Sequence, residues 1–103
     1  MGDFVKLLSQ INNNKTAITD ILFPPVMKVI FYNDDVTTMD FVVDILVRIF
    51  NKSEVTAKKL MLEIHTTGST VVGEYTYDIA VSRKNLATQV ARENGFPLRI
   101  EIE

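Results

Sequence analysis

VMKVIFYNDDVTTMDFVVDILVRIF, residues 26–50, changes its hydrophobic rhythm once, and that change decides the fold. Val26 to Asn33 is β-branched and aromatic with no breaker inside it, the mark of a mostly buried strand. Asn33-Asp34-Asp35 ends it in a turn, because short polar side chains bond the nearby backbone. Thr37 then reads as a helix N-cap with Asp40 three residues on, a capping-box spacing. From Met39 to about Phe50 the apolar residues Met39, Val42, Val43, Leu46, Ile49 and Phe50 recur at helical intervals.

Downstream, Ser53 caps a second helix, with Glu54 at its positive dipole end and Ala57, Leu60, Met61 and Ile64 on its apolar face. His65 ends that helix, and Thr67-Gly68-Ser69 turns the chain into a second strand, Thr70 to Tyr75. Thr76 is placed to cap a third helix whose inner stripe reads Ile79, Leu86, Ala87, Val90 and Ala91. Gly95 and Pro97 stop it. Leu98 to Glu103 alternates apolar and polar, so the last strand has one buried and one wet face. The order β-α-α-β-α-β does not resolve into βαβ units. It predicts a two-layer α+β domain, three helices on a small three-stranded antiparallel sheet, over residues 24–103.

Residues 1–23 read differently. Phe4, Leu7, Leu8 and Ile11 keep a helical spacing that Asn12-Asn13-Asn14 interrupts, and Pro24-Pro25 closes the segment. The expectation is a flexible or weakly helical N-terminal arm.

Composition narrows the function. The chain has 103 residues, 47% of them apolar and 23% charged, which suits a single globular domain. A net charge of −2 with scattered lysines and arginines argues against nucleic acid and against a membrane surface as partners. Cysteine is absent, which removes disulfides, thiolate catalysis and Cys-type zinc sites. No secretory signal or membrane span is visible, so the cytoplasm is the expected compartment. One histidine does not make a zinc site, and no phosphate-binding glycine loop or nucleophile elbow occurs. No metal, no cofactor and no catalytic residue is expected.

What remains is a set of polar groups at element ends, Asn33, Asp34 and His65, with Thr37, Met39 and Met61 beside them in sequence. An amide oxygen, a carboxylate and an imidazole together make a sound receptor for an ammonium group. Turn chemistry for Asn33 and Asp34, and a helix-end position for His65, are the commoner explanation of the same residues.

The runs FYNDDVTTMDFVVDIL, LMLEIHTTG, VVGEYTYDIA and ARENGFPL, in that order, resemble the ClpS family of N-end-rule adaptors from about Pro24 to Glu103. The resemblance implies a non-enzymatic adaptor that binds N-degron proteins or peptides and hands them to a Clp protease. It implies that Asn33, Asp34 and His65 hold the substrate's α-amino group. Thr37, Met39, Val42, Met61, Ile64 and Leu98 would line a pocket for a first residue Phe, Tyr, Trp or Leu, with Met39 as the gate against β-branched side chains. Asp78 and Arg83 would meet the N-terminal domain of a ClpA-type (or ClpC-type) ATPase, and the arm would act in delivery. Thr38 stands where many members carry Pro, and Ile64 where Val is common. Two readings of other classes compete: a ribosomal-stalk-like interaction module, which shares the element order, and a small hydrolase using His65.

Overall fold

The computed structural model describes Leu22 and residues 24–103; the reading of residues 1–21 and Phe23 as part of an arm lies outside the described residues. Six elements follow: β1 Val26–Tyr32, α1 Met39–Arg48, α2 Glu54–Thr67, β2 Ser69–Thr76, α3 Tyr77–Glu93 and β3 Arg99–Ile102. The sheet is antiparallel with order β2-β1-β3, so the breaker-free first strand lies in the middle. That position suits its burial: Val29 and Phe31 are fully buried.

The core joins the inner face of the sheet to the helices through Val29, Phe31, Val42, Leu46, Phe50, Ile64, Val72, Leu98 and Ile100, among others. Phe31 and Phe50 meet edge to face, ring centres 5.3 Å apart. Each such ring contributes on the order of 1.5–3 kcal/mol by leaving water.

Several readings of the helices are corrected. The N-cap of α1 is Thr38, whose side chain accepts from the Phe41 N–H, and not Thr37. Thr37 is diverted by Asp34, as described below. In α3 the buried line is Ala80, Ala87 and Ala91, while Ile79 and Leu86 are exposed. Alanines let the helix backbone lie close to the sheet, and this rotates the larger side chains to the flank. Thr76 occupies the N-cap position of α3 but makes no side-chain capping bond. Ser53 does cap α2, accepting from the Thr56 N–H.

Helix α2 runs to Thr67, two residues beyond His65. Its end is set by Gly68 at φ 95°, a left-handed conformation that glycine adopts without a Cβ clash. The Gly68 N–H donates to Ile64, and its carbonyl accepts from the Asn33 N–H at 2.8 Å. One residue therefore ends α2 and ties that end to the end of β1.

Candidate functional site

That tie builds the site. Tyr32 pairs with Ser69, so the loop leaving β1 and the last turn of α2 lie side by side at one end of the sheet. An open hollow of about 460 Å³ forms there, lined by Asn33, Asp34, Asp35, Val36, Thr37, Thr38, Met39 and His65. The three polar residues singled out in the sequence thus face a common space, with Thr37 and Met39 on its rim. Asp35, Val36 and Thr38 also line it, and none of them was expected there. Their signal was present in the loop length, since six residues separate β1 from α1 and all of them border the hollow.

Asp34 organises the loop. Its Oδ1 accepts from the backbone N–H of Val36 at 2.8 Å and of Thr37 at 2.6 Å; its Oδ2 accepts from the Thr37 hydroxyl at 2.7 Å. A carboxylate has about four acceptor directions, so three bonds leave one open. Partial burial pushes the Asp34 carboxyl up, but the bonds from Thr37 and Val36 and the charge of Arg92 outweigh it. The carboxyl is held below the ordinary carboxylate range. A fixed, ionised carboxylate with a free lone pair is suited to a cation.

Four wall positions named from the sequence, Val42, Met61, Ile64 and Leu98, do not line this hollow. Val42, Ile64 and Leu98 are buried in the core, 7%, 3% and 1% exposed. Met61 is half-buried and borders a separate groove of about 720 Å³ between α1 and α2. That larger groove carries ion-paired charge on its rim (Arg48 with Asp44, Lys58 with Glu54) and none of the three polar residues. Asn33, Asp34 and His65 line the smaller hollow.

The third helix carries the remaining pair. Asp78 is exposed in its first turn. Arg83 is engaged within the chain: its guanidinium donates to the Ile49 carbonyl at 3.2 Å and lies over the Tyr75 ring at 4.9 Å. The Tyr75 hydroxyl in turn donates to the Phe50 carbonyl. A Cβ at Gly73 would fall 2.7 Å from that hydroxyl oxygen, so the glycine makes room for the ring. Together they clasp the C-terminal end of α1.

Among the described residues no three His, Cys, Asp or Glu side chains cluster as a metal site, and no helix is long and apolar enough to cross a membrane.

Comparison with known proteins agrees with this architecture. Residues 23–101 match the family described as ATP-dependent Clp protease adaptor protein ClpS. The ATP-dependent Clp protease adapter protein ClpS of Acetivibrio thermocellus is 47% identical over 89 residues, 86% of this chain and 90% of that one. The ClpS of Desulfotalea psychrophila is 45% identical over 80 residues, 78% of each chain. Among solved structures, Agrobacterium tumefaciens ClpS2 bound to L-phenylalaninamide superposes with a TM-score of 0.74 at 39% identity, covering 78% of this chain and 96% of that one. The family and both sequence relatives are named as adaptors, not enzymes, and the chain belongs to the ClpS family of Clp protease adaptor proteins.

Proposed function

We propose that the hollow at the end of β1 receives the free amino end of an N-degron substrate, and that the chain delivers this substrate to a Clp ATPase. The observation that carries the reading is the convergence of Asn33, Asp34 and His65 on one hollow whose rim is Met39. Support comes from the solved relative, whose ligand, phenylalaninamide, combines a free α-amino group with a bulky aromatic side chain.

In this reading Asp34 supplies the charge through the open direction on its carboxylate, while Asn33 and His65 accept the remaining ammonium protons. The loop bonds fix the carboxylate in advance, which lowers the ordering cost of binding. The first side chain passes Met39 and is buried toward Thr37, Val42, Met61, Ile64 and Leu98. Phe, Tyr, Trp and Leu each gain on the order of 1.5–3 kcal/mol from such burial. Specificity against Ile and Val is steric, because their branch at Cβ lies close to the gate.

Asp78 is free to meet the N-terminal domain of a ClpA-type or ClpC-type ATPase. A contact at Arg83 would have to share a guanidinium that already holds the Ile49 carbonyl. The arm acts in delivery rather than recognition. Degradation by a reconstituted Clp protease tests the whole reading. A reporter beginning with Phe is expected to be degraded only when the chain is present, and the same reporter beginning with Ser is expected to persist. Equal rates for both would rule the reading out.

A further inference from the structure

The turn that leads into β3 runs beside Asn33, one of the residues that line the hollow. Tyr32 pairs with Arg99, so extending the antiparallel register by one residue sets Leu98 opposite Asn33. This turn leaves α3 through Asn94 and Gly95, the latter at φ 78°. The Phe96 N–H returns to the Ala91 carbonyl, and the Phe96 ring packs on Phe41 of α1 with centres 4.8 Å apart. Pro97 has no N–H to anchor the next step. The anchor is Arg92, whose Nη1 donates to the Phe96 carbonyl at 2.8 Å and to the Leu98 carbonyl at 3.2 Å. One guanidinium nitrogen thus spans the proline from both sides. The same charge acts on Asp34 across the site.

We infer that Arg92 is a positioning residue, which by holding the carbonyls of Phe96 and Leu98 sets where the Leu98 wall stands beside Asn33 and so which first side chains fit. The inference rests on the proposed reading of the hollow as the degron site. Arg92 itself touches no substrate; it acts through Leu98. Lysine would retain the charge but not the rigid planar donor, and methionine would retain neither. A pocket wall displaced by the width of a methylene changes discrimination by roughly tenfold or more, so a partly released turn should move it by about threefold.

The experiment is a titration of full-length Arg92→Lys and Arg92→Met with otherwise identical peptides beginning with Phe, Leu or Trp, and with the acetylated Phe peptide. Both variants are expected to change the Phe-to-Leu affinity ratio by about threefold or more while keeping the loss on acetylation. Gln89→Ala, on the exposed side of the same helix, is expected to leave the ratio as it is. Circular dichroism identifies which variants are folded, and Arg92→Lys alone suffices if Arg92→Met is not. Unchanged ratios in a folded variant would overturn the role of Arg92. A wild-type chain that ignores acetylation would instead overturn the reading of the site on which this inference depends.

Discussion

Thr37 holds Asp34 twice, its backbone N–H donating to Oδ1 at 2.6 Å and its hydroxyl to Oδ2 at 2.7 Å. The adjacent Thr38 makes a different bond, capping α1 through the Phe41 N–H at 3.2 Å. Two neighbouring threonines therefore serve two ends of one device, the first fixing the carboxylate and the second starting the helix.

Their substitutions should separate. Thr37→Val removes one hydrogen bond to a charged acceptor, and loss of about 1 kcal/mol in peptide binding, or about fivefold in affinity, is expected. Thr38→Ala removes a helix cap, with a cost of about 1 kcal/mol in stability and little change in affinity. Paired thermal melts and peptide titrations check this. Thr38→Ala weakening binding more than Thr37→Val would reverse the assignment.

Stability should depend on Asp34 in a defined pH window. The folded carboxyl is held below its unfolded value, so the folded state binds its proton less readily. This contribution is complete above the unfolded value of about 3.9 and is lost as pH falls through the folded one. Melting temperatures of the wild type and Asp34→Asn are expected to differ at pH 6 and to converge in strong acid. A gap that widens with acid would have the wrong sign.

Met39, the first residue of α1, is 43% exposed on the rim of the hollow. Met39→Ala is expected to admit peptides beginning with Ile or Val while leaving Phe binding within about threefold, since excluding a branched side chain is a steric matter. The side chain is already 43% exposed at the surface of the fold, so the loss of stability should be smaller than for a core methionine. Continued rejection of Ile and Val would place the gate elsewhere, with Ile64 the next residue to change.

Deletion of residues 1–20 separates recognition from delivery. Val26 pairs with Thr76 at the far end of β1 from Asn33, about 20 Å away at the usual rise per strand residue. If the arm acts in delivery and not in recognition, affinity is expected to stay within about twofold. Degradation of a Phe-started reporter by the Clp protease is expected to stop. A large loss of peptide affinity in the truncated chain would contradict the delivery role.

Most of the fold was legible because strand and helix periods alternate cleanly along the chain. Alternation in 98–103 and the unbroken apolar run in 26–33 led to a strand with one wet face and a mostly buried strand, which the structure places at the edge and in the middle of the sheet. Two misreadings share a cause, which is that tertiary contacts compete with local rules. Thr37 has the side chain and spacing of a cap, but the Asp34 carboxylate captures its hydroxyl. Ile79 and Leu86 are the bulkiest aliphatic residues of α3, yet close packing against the sheet selects Ala80, Ala87 and Ala91 for the buried line. In the site, Asn33, Asp34 and His65 could be named because each lies at or just past the last turn or residue of an element. Arg92 could not, because its contact with Leu98 depends on the path of the turn around Pro97. The burial of Val42, Ile64 and Leu98 was legible in the helical stripes and the strand alternation, but their absence from the lining of the hollow appears only once the layers are assembled.

The central claim is that Asp34 and its neighbours grip a free α-amino group. Titration of the full-length chain with a Phe-started peptide, free or acetylated, against wild type and Asp34→Ala, measures this directly. Removing one partner of a desolvated charge pair typically costs about 3–5 kcal/mol, so acetylation or Asp34→Ala should each weaken binding by at least roughly a hundredfold. Applied together they should add little more, because both remove the same contact. Equal affinity for the free and acetylated peptides would contradict the account.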